Sequence, residues 1–143
     1  MIEKMTVSNL KSVLPCDVHK AWSVVTTASE YPRWRTDLSR VQILGPEAFL
    51  EYTANGYVTK FTIIRAKPGQ LWELEMDNTN LHGRWVGRFR QRGLATVVDF
   101  TEYVSVKKVW MKPFVKGYLK KQQAQFITDL RRAICSESKR IHS

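Results

Sequence analysis

Residues 82–106 read HGRWVGRFRQRGLATVVDFTEYVSV, and along them every second position changes character. Gly83, Trp85, Gly87 and Phe89 alternate with His82, Arg84, Arg88 and Arg90; past Gly93, Val98, Phe100, Glu102 and Val104 fall on one parity. A period of two over this length marks strands with one face on a core and the other toward water. The glycine between the runs marks a reversal, so the segment reads as a β-hairpin. Taking Arg92-Gly93 as the turn sets Trp85 opposite Phe100 and Gly83 opposite Glu102. Gly83 and Gly87 then leave gaps beside Trp85.

The same period runs upstream through LSRVQIL (38–44), AFLEYTA (48–54), YVTKFTIIRA (57–66) and QLWELEMD (70–77). Turn signals separate these runs: Gly45-Pro46, Asn55-Gly56, Pro68-Gly69 and Asn78-Thr79-Asn80. Short connections imply consecutive antiparallel hairpins. Residues 5–14 read as one more strand, ending at Pro15. Asp17 then caps a short helix whose apolar face is Val18, Ala21, Trp22 and Val25. Pro32 keeps Tyr31 out of helical geometry and ends that helical region. The chain closes in a long helix from near Pro113, with Val115, Leu119, Gln122, Phe126, Leu130 and Ala133 as its core-facing stripe. The polar tail 136–143 is expected to fray.

This order predicts an α+β fold in which the curved sheet must bury its apolar face on the only element large enough, the terminal helix. With 143 residues, 43% hydrophobic and 25% charged, the chain fits one domain over 1–143 with a real core. No apolar run reaches the roughly 18 residues of a membrane span, and MIEKMTVSNLKSVLP lacks an apolar block with a cleavage site, so the expected location is cytoplasmic. Cys16 and Cys135 lack metal-ligand spacing and read as free thiols. His19, His82 and His142 are scattered, so no metal site is expected.

Three local patterns carry a resemblance: LPCDVHKAWSVV, a strand running into a tryptophan-bearing helix; EYPRW before a charged loop; and ATVVDFTEYV ahead of the terminal helix. With the element order, they make the chain similar to the START-like helix-grip (SRPBCC) superfamily, in its polyketide cyclase/dehydrase and lipid-transport branch, over roughly residues 4–135. The resemblance implies a sheet of six or seven strands wrapped around the C-terminal helix, short helices between the first two strands, and a cavity between sheet and helix. The superfamily shares no catalytic motif, so the resemblance brings no cofactor and no catalytic residue. It also places EYPRWRTDLSRV (30–41) at the cavity entrance, with Tyr31 and Trp34 capping the core and Arg33, Arg35 and Asp37 facing water or an incoming polar group.

Strand parity nominates the lining: Tyr57, Thr59, Phe61 and Ile63; Trp72, Leu74 and Met76; Trp85 and Phe89; Phe100 and Glu102. Trp34 at the rim and Val115, Tyr118, Leu119 and Gln122 on the helix complete the ligand-binding candidates. Aromatics at these positions serve equally as plain core or as pocket wall. Glu102 is the odd member. An inward carboxylate needs a partner, water or a raised pKa, and it is the candidate polar anchor or acid/base group.

The net charge of +10 invites anionic partners, so its placement matters. Hairpin register brings Glu75 near Arg84 and Asp77 near His82 as surface pairs. The excess lies at Lys107, Lys108, Lys112, Lys116, Lys120 and Lys121, interleaved with Trp110, Phe114 and Tyr118. That row reads as a solvated flank or as a contact for anionic lipid headgroups. No nucleic-acid-binding signature is present, and nucleic acid is not an expected partner. Nothing in the sequence sets the oligomeric state. Two functions follow: a carrier of an apolar or amphipathic small molecule or lipid, or a cyclase/dehydratase-type enzyme in which Glu102 acts with Tyr57 or a rim arginine. A membrane- or protein-interaction role through the basic helix is a third.

Overall fold

The structure, a computed structural model, describes the backbone of residues 5–142 and the side chains of residues 5–136. The expected fraying of 136–143 therefore lies almost wholly outside the described side chains. Seven strands form one antiparallel sheet: β1 (Thr6–Leu14), β2 (Leu38–Gly45), β3 (Ala48–Thr53), β4 (Val58–Lys67), β5 (Leu71–Asp77), β6 (Leu81–Arg92) and β7 (Ala95–Val106). Their order is β1-β7-β6-β5-β4-β3-β2, so β1 and β2 are the borders. Helices α1 (Val18–Thr26) and α2 (Tyr31–Trp34) join β1 to β2, and the long α3 (Lys112–His142) follows β7. No helix among the described residues is long and apolar enough to cross a membrane.

Alternation built the sheet as the sequence implies. In β5 and β6, Trp72, Leu74, Met76, Trp85 and Phe89 are buried while Glu75, Asp77, Arg84 and Arg88 are exposed. Register shifts in β2–β3 and between Ile63 and Arg65 in β4 bend the sheet toward α3. The helix sets Val115, Leu119, Ile127, Leu130 and Ile134 into the concave face. Its Gln123 is buried too, exchanging hydrogen bonds with Ser8: Ser8 Oγ donates to Gln123 Oε1 (2.7 Å) and Gln123 Nε2 to Ser8 O (2.9 Å). Burial needs such pairing, because an orphaned polar group there is costly.

Four local expectations are corrected. The β6–β7 turn is Gly93-Leu94, not Arg92-Gly93: Arg92 pairs with Ala95, which sets Trp85 opposite Glu102 and Gly87 opposite Phe100. Gly93 has φ 62° and Leu94 is 95% exposed, the pattern of a two-residue turn with glycine in its first central position. Secondly, Pro32 does not end the helical region. Tyr31 is helical (φ −51°, ψ −44°) and Pro32 sits in the first turn of α2, where its missing N–H is no loss. Burial of Tyr31 and its hydroxyl bond to the Val25 carbonyl hold that geometry.

The glycines, thirdly, leave no gaps. Trp85's own ring lies over Gly87, 2.6 Å from where a Cβ would stand. At Gly83 a Cβ would overlap the Tyr103 carbonyl oxygen and lie 3.0 Å from Val104 Cα. Backbone cannot swing aside as a side chain can, so Gly83→Ala is expected to destabilise by about 2–3 kcal/mol, read from a denaturation midpoint. An unchanged midpoint would refute the close approach.

The fourth correction concerns the lysine row. Lys107 is paired, donating to Asp77 Oδ1 (2.8 Å) and Asn78 O (2.7 Å). Lys116 Nζ donates to Val7 O, Lys120 Nζ to Asn9 O (2.6 Å), and Arg131 Nη2 to Val13 O (3.1 Å). These carbonyls face outward from the β1 border, where a strand's unpaired groups otherwise invite another chain. Much of the basic flank therefore caps a sheet edge. On the outer face, Asp77 does register with His82 and Glu75 with Arg84, although Arg84 reaches Glu73 (3.6 Å) and His82 lies 3.7 Å from both Glu75 and Asp77.

Candidate functional site

Between the concave face and α3 lies an inner chamber of about 120 Å³. Eight of its 22 lining residues are aromatic. Trp85 and Phe100 stand 4.9 Å apart between centroids, Phe100 and Phe126 5.6 Å, and Phe61 stacks on Phe49 at 5.3 Å. A vestibule of about 680 Å³, edged by Trp110, Met111, Phe114 and Val115, adjoins the chamber. Asp37, Thr53, Tyr57, Asn78, Leu81, Tyr118 and Gln122 line both spaces. Asn78 braces this shared lining: its Oδ1 accepts from the backbone N–H groups of Asn80 and Leu81 and from the Tyr57 hydroxyl (2.8 Å), while its Nδ2 donates to Thr59 Oγ1 (3.1 Å).

Of the sequence-derived candidates, Tyr57, Thr59, Phe61, Trp72, Leu74, Met76, Trp85, Phe100, Glu102, Tyr118, Leu119 and Gln122 come together around the chamber, and Val115 borders the vestibule. Trp34, Ile63 and Phe89 are not among the lining residues. Phe89 packs on Trp22 and Phe100, and Trp34 on Tyr31 and Phe126. The Trp34 indole N–H is buried with no hydrogen-bond partner among the described residues, a cost of roughly 1–3 kcal/mol that this packing must offset.

The polar centre of the site is one that sequence reasoning missed. Arg35, expected to face water or an incoming polar group, has its side chain only 9% exposed and clamped by two carboxylates. Its Nη1 donates to Glu51 Oε2 (2.8 Å), its Nε and Nη2 to Asp37 (3.2 and 2.8 Å), and its guanidinium packs on the rings of Tyr31 and Phe126 (5.0 and 5.2 Å). Arg33, by contrast, is exposed. A strap explains the inversion. Asp129 of α3, itself fully buried, accepts from the Thr36 backbone N–H (2.8 Å), the Thr36 hydroxyl (2.9 Å), Gln125 (3.0 Å) and Arg132 (2.6 Å). Pinning Thr36 to the helix turns the side chain before it inward. Desolvation pushes the Asp129 carboxyl up, but these four donors outweigh it and hold the group below the usual range. The signal for Glu51 was available: it shares inward parity with Phe49 in β3, as Glu102 does with Phe100.

Glu102 faces the chamber from β7 and has no hydrogen-bond or ion-pair partner among the described residues. Burial, with a further push from Glu51 and a weaker opposing pull from Arg35, raises its carboxyl from 4.5 to about 7. The folded protein thus keeps a proton that the unfolded chain releases above pH 4.5, and stability falls as pH rises through this window. Glu102→Gln is expected to match the parent below pH 4.5 and to exceed it by about 1–3 kcal/mol at pH 8, read from denaturant unfolding at both values. Equal stabilities at pH 8 would refute the desolvation of Glu102. Desolvation likewise raises Glu51, against the pull of Arg35.

A curved seven-stranded antiparallel sheet gripping one long helix is the START-like helix-grip fold, and comparison with solved structures agrees. A START superfamily protein from Mycobacterium smegmatis superposes with TM-score 0.84 at 13% identity, covering 91% of this chain and 97% of that one. Norcoclaurine synthase from Thalictrum flavum gives 0.76 at 12% identity (94% and 96%), and the ZhuI aromatase/cyclase from Streptomyces sp. R1128 gives 0.72 at 12% (98% and 97%). The sequence itself matches the family described as polyketide cyclase / dehydrase and lipid transport over residues 5–134, and the chain belongs to that family. No curated protein sequence matches it.

Proposed function

We propose that this domain binds one small amphipathic molecule, with an apolar end in the aromatic chamber and the remainder in the vestibule. The supporting observation is an inner space rich in aromatic side chains that lies beside a wider outer one and shares a set of mostly polar lining residues with it. Pockets that hold small molecules combine such apolar walls with a few placed polar groups. The inner volume suits a group about the size of a single ring. Family membership supports the same reading, and a cytoplasmic setting belongs to it. At the vestibule rim Val109, Trp110 and Phe114 are exposed, and Lys108 and Lys112 flank them, so entry of the ligand from an anionic membrane surface is part of the proposal. Native mass spectrometry of the purified chain tests it. A co-purifying or added amphipathic compound retained by the protein supports carriage; the bare mass across a broad panel refutes it.

Glu102 favours a second reading, a cyclase/dehydratase-type enzyme. A carboxyl protonated to about pH 7 beside an apolar chamber is poised to give or take a proton near neutrality. Tyr57 hydrogen-bonds to Asn78 and Arg35 is tied to two carboxylates, which leaves Glu102 as the proton-transfer group. Turnover of a polyketide or aromatic substrate, lost in Glu102→Ala with the fold intact, would establish this reading. Ligand retention without turnover favours carriage.

A further inference from the structure

The fixed charges around the chamber do not balance. One cation, Arg35, stands among the three carboxyl groups of Asp37, Glu51 and Glu102. Asp37 and Glu51 already hold the guanidinium at 2.8 Å each, and the rings of Tyr31 and Phe126 pack on it. An incoming carboxylate or phosphate would therefore meet anions before it met a free cation. Among the described residues Glu102 has no hydrogen-bond or ion-pair partner, and it lines the space directly. Trp85 lies directly across the strand pair from it and Phe100 two residues along β7, and the π-faces of these rings attract positive charge, more strongly where water is excluded. Within a chain of net charge +10, the chamber is a local acidic, aromatic site.

We propose that the molecule bound here is an organic cation: a protonated amine on a small apolar or aromatic body, with its nitrogen against Glu102 and its body among Trp85, Phe100 and Phe126. The proposal rests on the ligand-binding reading above and specifies its ligand class. Arriving positive charge stabilises ionised Glu102, so binding below pH 7 transfers the Glu102 proton to solvent and leaves an ammonium–carboxylate pair. The other titratable and charged groups lining the space around this carboxyl are Tyr31 from α2, Arg35 and Asp37 from the strap, Glu51 from β3, Tyr57 before β4 and Tyr118 from α3. Arg35 stays charged throughout, and Tyr118 stays neutral, its hydroxyl raised chiefly by desolvation.

Calorimetric titration of the full chain with benzylamine, benzyl alcohol and benzoate tests this. Benzylamine is expected to bind at least about tenfold more tightly than either of the others at pH 7. Its binding at pH 6 should release about one proton, read from the dependence of heat on buffer ionisation enthalpy. Glu102→Gln should remove both the preference of the amine over the alcohol and the proton release. Alcohol or benzoate binding as tightly as the amine overturns the proposal, as does an amine preference that survives in the glutamine variant. Proton release in the parent protein needs no variant and stands as an independent readout. Binding of the alcohol alone sinks the cation proposal but keeps the cavity reading; binding of none of the three sinks both.

Discussion

Arg35→Met is expected to lower stability by about 3–5 kcal/mol, a fall of roughly 10–15 °C in the thermal midpoint. Methionine fills similar volume, so the loss is electrostatic. Without the guanidinium, Glu51 loses its only ion-pair partner among the described residues, and Asp37 loses both of its bonds to Arg35. Leaving a buried carboxylate uncompensated is far costlier than never having the pair. The double variant Arg35→Met/Glu51→Gln should therefore recover most of the loss, and a double variant no better than the single one would refute this account. The single variant's deficit should also widen with pH. Loss of Arg35 removes the pull that opposes desolvation at both Glu51 and Glu102, so both keep protons further above their unfolded values. Groups raised in this way contribute less to stability as pH rises.

Asp129→Ala should cost about 3–4 kcal/mol, because it strips four hydrogen bonds at once and leaves the Thr36 N–H and hydroxyl without their acceptor. Here the pH dependence has the opposite sign. A carboxyl held below its ordinary range stabilises fully above pH 4 and less as the solution becomes acid. The gap between parent and variant should be constant from pH 5 to 7 and shrink below pH 4, measured by unfolding at each value. A gap independent of pH down to 2.5 would mean that packing, not the ionised carboxylate, carries the effect. Because Asp129 pins Thr36, this variant should also loosen Arg35. Binding of any chamber ligand would then weaken even where the protein remains folded.

The sequence made the sheet and its apolar wall legible because both depend on a period of two. Phe61, Trp72, Leu74, Trp85 and Phe100 reach the chamber by parity alone, whatever the fine register. Register needs turn chemistry, and there the glycine at 93 belonged at the first central position of the turn, which moves the pairing by two residues. Parity survives a shift of two, so the inward face of the hairpin is unchanged while the partners across it differ. The Arg35 cluster was illegible for a different reason. A short irregular segment carries no period, and Arg35 turns inward only because Asp129, more than ninety residues away, holds its neighbour Thr36. Glu51 obeyed the strand alternation, but a single strand cannot show that a cation waits opposite it.

The lysine and arginine caps on β1 also bear on how copies of this chain would meet. A sheet with two open borders is a two-ended monomer and can polymerise. Here three outward carbonyls along one end, those of Val7, Asn9 and Val13, are already taken by side chains of the protein's own helix. A strand arriving at β1 must first displace those donors, so neutralising Lys116 and Lys120 should lower the barrier to such an approach.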